Sequence, residues 1–312
     1  MRQLLFLCGL FLVSHSAAYA ATQTPSPQAP QFQSYQLNRD SGQPPLRYYL
    51  AQRQPANDKL LLLLQGSDCR SVSHNQTIKQ SLWQVWPAAD VLLVDKWGLT
   101  ADSRDGNCPS SYLEHDSPSQ RVADLNRVLE QLHYSQLVVV GGSEGAVVAN
   151  LLRAQRHDIA ATISFSGGGR YFAADVEHNI EQSVPRSEVA EALNGFRQFT
   201  HTVLAASAPI EVDSSDHGYR WWREMLELDQ QALIAAADSP LLLLQAGQDQ
   251  AVSLAATEAM VAALAAPAWL TYKRLDKLDH GLREADSSTI SDRAITLMRS
   301  WLAHSIEDEN QQ

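Results

Sequence analysis

The stretch that most constrains this chain is Leu137–Asn150, LVVVGGSEGAVVAN. Leu137 to Val140 form an unbroken apolar run, the pattern of a strand buried on both faces. Gly141-Gly142-Ser143-Glu144-Gly145 then forms a tight turn, and Ala146 to Leu152 reads as the start of a buried helix. The glycines bracket Ser143 at G-x-S-x-G spacing, between strand and helix. A turn this sharp leaves no room for side chains on its flanks, and Gly141 and Gly145 supply that room. The hydroxyl then projects from the carboxyl edge of a sheet, above a helix N-terminus. The backbone N–H of Glu144 points where an oxyanion would form. Many glycine-rich strand–helix turns carry a serine without chemistry. The rest of the chain must therefore supply an acid, a base and a second oxyanion donor.

Short buried strands recur on both sides of this turn. Phe32–Asn38 and Leu46–Gln52 read as two edge strands, with Asp40-Ser41-Gly42 and Pro44-Pro45 turning between them. Leu60–Leu64 is five leucines in a row and reads as a buried strand. Asn75–Trp86 has helical periodicity, Val91–Val94 is the next strand, and a long polar loop follows through Pro109. Ser117 reads as an N-cap with Pro118 at the first helical position, opening a helix to about Leu132. Ala161–Ser166, Pro240–Gln245 and Trp269–Leu275 continue the strands, with helices at Leu254–Leu264 and Ser287–Leu302. This alternation predicts an α/β fold, a mostly parallel twisted sheet with helices on both faces. No internal repeat is visible. From about 170 to 237 no buried-strand run occurs; that stretch reads as an inserted helical cap over the carboxyl edge, where ligands of such sheets bind.

The N-terminus reads as an address rather than as structure. Arg2, the apolar run Leu4 to Val13 and Ala18-Tyr19-Ala20 make residues 1–20 a cleavable signal peptide, cut after Ala20. The apolar run is too short for a permanent membrane span, and no later stretch is apolar enough to be one. Residues 21–31, rich in Pro, Gln, Ser and Thr, read as a disordered tether, leaving 32–312 as the folded domain. The expected location is the periplasm or beyond it. Net charge is −11 with no basic run, which argues against a nucleic-acid partner. With Cys8 removed, Cys69 and Cys108 remain, a pair that in an oxidising compartment suggests one disulfide; two separate buried thiols are the alternative.

In hydrolases built around a turn like that at Ser143, the acid and then the histidine follow the serine in chain order. Pro240–Gln245 ends in Ala246-Gly247-Gln248-Asp249, which places Asp249 at the carboxyl edge. Trp269–Leu275 is followed by Lys277-Leu278-Asp279-His280-Gly281. Histidines 178, 201 and 217 precede the acid and fall in the cap, and His304 lies on the last helix, so position selects His280. Asp213 and Asp216 are rival acids but lie in the cap; Asp276 and Asp279 are too close to His280. The imidazole would take the serine proton, and the carboxylate would fix its tautomer. Gln65-Gly66-Ser67 stands where a second donor belongs, with the Ser67 N–H as that donor.

These residues resemble the α/β-hydrolase superfamily over about residues 32–305. The resemblance rests on Gly141-Gly142-Ser143-Glu144-Gly145, Gly247-Gln248-Asp249, Asp279-His280-Gly281 and Gln65-Gly66-Ser67. Within it, the chain looks most like bacterial serine hydrolases of dienelactone-hydrolase and prolyl-oligopeptidase type. Many relatives have His-Gly where this chain has Gln65-Gly66. The resemblance implies that the third and fourth strands are neighbours, so that the loops holding Cys69 and Cys108 emerge side by side. A Cys69–Cys108 bridge there would brace the oxyanion loop. It also implies hydrolysis of a small-molecule ester through an acyl-enzyme, with Ser143, Asp249 and His280 as triad and Glu144 and Ser67 as oxyanion donors. No metal or organic cofactor is implied, and the oligomeric state is left unassigned. Peptidase, acyltransferase and non-catalytic binding protein are the competing readings. Trp97, Trp221 and Trp222 are candidate substrate-pocket residues, with packing of the cap as the alternative for the last two. The Glu144 side chain is a candidate partner for a cationic substrate group.

Overall fold

The computed structural model describes residues 29–40, 42–53, 57–212 and 215–309. The expected signal peptide, most of the tether, Ser41 of the first turn and the rival acid Asp213 lie outside these residues.

The chain runs β1 (Gln33–Leu37), β2 (Leu46–Ala51), β3 (Lys59–Leu64), α1 (Gln76–Gln80), β4 (Asp90–Val94), α2 (Ser110–His115), α3 (Pro118–Leu129) and β5 (Gln136–Gly142). It continues with α4 (Glu144–Gln155), β6 (Ile159–Phe165), α5 (Phe172–Ser183), α6 (Val189–Ala205), α7 (Tyr219–Glu227) and α8 (Gln230–Ala235). It ends with β7 (Leu241–Ala246), α9 (Leu254–Ala263), β8 (Leu270–Leu275) and α10 (Asp292–Glu309). The strands form one eight-stranded sheet in the order β1-β2-β4-β3-β5-β6-β7-β8. β1 and β2 pair antiparallel, as do β2 and β4; every later pairing is parallel.

Side chains of a strand alternate between faces, which explains the leucine run. Leu61 and Leu63 join Val138, Val140, Ile163 and Leu242 on one face, under Ile78, Leu82 and the Ile295, Met298 and Leu302 side of α10. Leu60, Leu62 and Leu64 join Leu137 and Val139 on the other, under Val122, Leu125 and Val128 of α3 and Val148 and Leu152 of α4. A strand covered on both faces must be apolar at every position. The sheet is therefore the central layer of three, as the alternation of elements predicts.

One local reading needs correction. The helical period at Asn75–Trp86 is split: α1 ends at Gln80, and a 3-10 turn, Leu82–Val85, follows. The break lets Leu82, Trp83 and Val85 all turn into the core. Between the expected polar loop, which ends at Pro109, and Ser117 lies α2, too short to show periodicity, with Tyr112 as its buried residue. Ser117 does cap α3, accepting from the Gln120 N–H with Pro118 at the helix start.

Among the described residues between β6 and β7, every regular element is a helix. Val203, Trp221, Trp222, Met225 and Leu226 form a separate small core there, with Phe172, Phe196 and Phe199 packed against it. Val147 of α4 joins the same cluster and ties it to the main domain. The last of these helices, α8, packs instead beside α4 and buries Ile234 at the sheet. Among the described residues no helix is long and apolar enough to cross a membrane.

Candidate active site

Ser143 sits between β5 and α4 with φ 56 and ψ −129, a left-handed conformation costly for a residue with a side chain. The two flanking glycines are required sterically. A Cβ on Gly141 would lie 2.1 Å from the Gly145 carbonyl oxygen, and one on Gly145 would lie 2.6 Å from the Leu64 carbonyl oxygen. The Ser143 N–H donates to the Phe165 carbonyl (3.0 Å), which fixes the turn to β6.

Asp249 lies in the loop after β7. Its Oδ1 accepts from the Ala251 and Val252 N–H groups (2.8 and 3.0 Å), and its Oδ2 from Gln245 Nε2 (3.2 Å). Both oxygens face His280 Nδ1, at 3.0 and 2.9 Å. Burial alone would raise this carboxyl, but the His280 contact and the two N–H groups hold it below the usual carboxylate range. An ionised carboxylate at Nδ1 selects the tautomer whose Nε2 accepts a proton. His280 lies in the loop after β8, where Asp279 Oδ1 accepts from the Gly281 and Arg283 N–H groups (2.9 Å each). The two loops are joined by Gln248 N–H donating to the Leu278 carbonyl (3.0 Å).

Ser143 and His280 line one cavity of about 250 Å³, together with Gly66, Phe165, Ile78 and Leu82. A Cβ on Gly66 would lie 3.8 Å from Ser143 Oγ, so the chain after β3 passes directly beside the hydroxyl. Gln65 holds that loop: its Nε2 donates to Asp68 Oδ1 (2.9 Å) and to the Arg70 carbonyl (3.0 Å). Cys69 and Cys108 are bridged, joining the loop after β3 to the loop after β4, which are neighbours in the sheet.

The other sequence candidates lie elsewhere. Trp97 is buried away from the cavity, stacked on His115 (4.8 Å between centroids) with the Arg39 guanidinium 4.2 Å from its ring. Trp221 stacks on His217 (3.7 Å), and Trp222 packs against Phe172, Phe196 and Phe199. Both tryptophans belong to the small helical core, and none of the three lines the cavity with Ser143. The Glu144 side chain is closed off from the cavity: it is buried against Lys96 Nζ (3.2 Å) and the Arg121 guanidinium. Burial alone would raise its carboxyl, and these two cations hold it low. Arg121 also donates to the Gln65 carbonyl (2.9 Å), so this ion cluster clamps the start of α4 to the loop after β3.

Lys96, Arg121 and Tyr112 are not singled out by the sequence reading, and His217 enters it only as a rival base set aside for its place in the cap. One signal was present: Arg121 stands on the same face of α3 as Leu125, where an unpartnered charge does not belong. Asp116, Glu144 and His217 bring potential ligand atoms within 4.8 Å of one another. Lys96 and Arg121 already supply positive charge there, which disfavours a metal ion.

No protein-family model matches the sequence, and neither does any curated protein sequence. Solved structures do match. Est1E from Butyrivibrio proteoclasticus is 15% identical with a TM-score of 0.60, over 88% of this chain and 99% of that one. The esterase Pf2001 from Pyrococcus furiosus is 10% identical with a TM-score of 0.59, over 89% and 92%. A puromycin-hydrolysing peptidase from Mycobacterium tuberculosis is 16% identical with a TM-score of 0.56, over 89% of this chain and 39% of that one. Strand order, the turn at Ser143 and these likenesses agree: the chain has the α/β-hydrolase fold.

Proposed function

We propose that this protein is an exported serine hydrolase that cleaves a small ester through an acyl-enzyme. The observation that carries the reading is a carboxylate-bound imidazole, His280 on Asp249, lining one cavity with a serine held at φ 56. In this reading His280 Nε2 takes the Ser143 proton as Oγ attacks the acyl carbon. Asp249 fixes the ring and stabilises the imidazolium. The N–H groups of Glu144 and Ser67 receive the oxyanion, and His280 returns the proton to the departing alcohol. Water then repeats the cycle on the acyl-enzyme. Helices α5, α6 and α7 of the stretch at about 170–237 serve as the cap, with Asn179 Nδ2 donating to the Gln250 carbonyl (3.1 Å) beside the acid loop. The Cys69–Cys108 bridge supports export to an oxidising compartment.

The cavity, about 250 Å³, falls below the ~300–1,000 Å³ of drug-sized sites, which favours short acyl groups. The test is hydrolysis of p-nitrophenyl esters from acetyl to palmitoyl by the mature protein and by Ser143→Ala. Turnover is expected to be greatest on acetyl to butyryl esters and to fall at least ~10³-fold in Ser143→Ala. Ester turnover that survives Ser143→Ala would remove the serine from the mechanism. Serine-dependent turnover of peptide substrates alone would move the assignment to a peptidase.

A further inference from the structure

Helix α5 of the insertion lies along the loop that carries Asp249. Asp175, His178 and Asn179 stand at i, i+3 and i+4 spacing, so they share one face of that helix. Each of them meets the backbone of the acid loop. Asp175 Oδ1 accepts from the Ser253 N–H (2.9 Å), His178 Nε2 lies 3.4 Å from the Asp249 carbonyl oxygen, and Asn179 Nδ2 donates to the Gln250 carbonyl (3.1 Å).

The last of these contacts falls on one particular peptide unit. The Gln250 carbonyl and the Ala251 N–H belong to the same plane, so they point in opposite directions and turn together. At one end of that plane stands Asn179. At the other, the Ala251 N–H donates to Asp249 Oδ1 (2.8 Å), and the same carboxylate faces His280 Nδ1. A single peptide thus connects α5 to the carboxylate and the ring. Gln250 is exposed, so side-chain packing does not fix this peptide. The turn from Asp249 to Ala251 is one that an aspartate forms locally, and an exposed loop can leave it.

We infer that Asn179 is a positioning residue: by holding the Gln250 carbonyl it orients the Ala251 N–H that keeps the Asp249 carboxylate against His280. The inference rests on the serine-hydrolase reading above. It gives the insertion a part in the catalytic centre besides covering it, because one of its helices sets the place of the acid.

Two variants separate this role from packing. Asn179→Leu keeps the size of the side chain and removes the donor. Leucine is the better helix former, so α5 itself is not weakened. Asn179→Gln keeps an amide donor on a longer stem. Misplacing catalytic groups by about 1 Å can cost ~10²-fold, so a carboxylate that is loosened rather than lost is expected to cost about tenfold. The expected result is that fall in kcat for Asn179→Leu at constant KM, with Asn179→Gln within about threefold of wild type. The second readout is the low-field proton resonance of the His280 Nδ1–H bonded to Asp249. It is expected to move upfield or broaden in Asn179→Leu and to keep its place in Asn179→Gln. Wild-type kcat in Asn179→Leu, equal losses in both variants, or a fall in kcat with the resonance unmoved overturns the inference. Absence of serine-dependent turnover in the wild type would remove the hydrolase reading instead. The resonance needs no substrate, and an unmoved signal in Asn179→Leu would then overturn the hold of Asn179 on the Asp249–His280 pair.

Discussion

At the scale of single residues, the Ser143 hydroxyl and the Glu144 carboxylate leave adjacent Cα atoms for opposite environments. Ser143 lines the cavity, while Glu144 is sealed beneath it between Lys96 and Arg121, whose side chains are 0% and 5% exposed. Removing the carboxylate would leave two buried cations without a counter-charge. Glu144→Gln is therefore expected to cost about 3–5 kcal/mol, readable as a lower midpoint in urea denaturation. A variant as stable as wild type would show that water or Asp116 replaces the lost charge. The sequence singles out Ser143, Asp249 and His280 as a candidate triad because each follows a strand in the order such chemistry would require; the structure places Asp249 against the His280 ring and His280 on one cavity with Ser143. It did not point to the buried cluster of Lys96, Arg121 and Glu144. A charged residue reads as solvated until its partner is known, and these partners are distant in sequence. Trp221 and Trp222 lie in the small helical core, the alternative named for them, and the sequence cannot separate the two fates because aromatic rings near a site and inside such a core are alike in composition.

At the scale of elements, boundaries were legible where periodicity ran long and illegible where pieces were short. β3, β5 and α3 lie close to the expected spans, whereas α1 and α2 have five and six residues and show no reliable period. Asp175 shows how the insertion is joined to the sheet. It lies on α5 and accepts from the Gly169 N–H (3.0 Å) and the Ser253 N–H (2.9 Å), linking the exit of β6 to the start of α9. Burial, with the nearby Asp249 charge adding to it, raises the Asp175 carboxyl from 3.8 to about 6. Between those values the folded chain holds a proton that the unfolded chain has released. The contribution of Asp175 to stability is therefore present at low pH and lost as pH rises through about 6. Asp175→Asn removes this titration. The Tm difference between wild type and variant is expected to shift toward wild type as pH is lowered from about 6 to about 4, measured by thermal melts in matched buffers. A difference independent of pH would show that Asp175 does not titrate in that window.

At the scale of the whole molecule, the three-layer architecture was legible because alternating buried strands and amphipathic helices admit few other packings. The Cys69–Cys108 bridge was legible from the cysteine pair itself, although its cysteines are 39 residues apart; the pairing of β3 with β4 brings their loops together. Closing a loop of that length restricts the unfolded chain, so reduction is expected to lower unfolding free energy by about 4 kcal/mol, measured by denaturation with and without reductant. Reduction is also expected to lower ester turnover, since the bridge borders the Ser67 loop; equal turnover in both states would separate the bridge from the site. The strand order carries a further consequence. From β3 the chain steps to β4 on one side, and from β5 it steps to β6 on the other. The connections leaving β3 and β5 consequently diverge toward opposite layers, α1 to one and α4 to the other. Where winding reverses, such sheets open a crevice at their carboxyl ends, whatever residues line it. The hollow thus belongs to the path of the backbone, and the chemistry to a few side chains placed along its rim. The two are separable: substitutions in the loops can change or abolish the reaction while the scaffold goes on offering a place to bind.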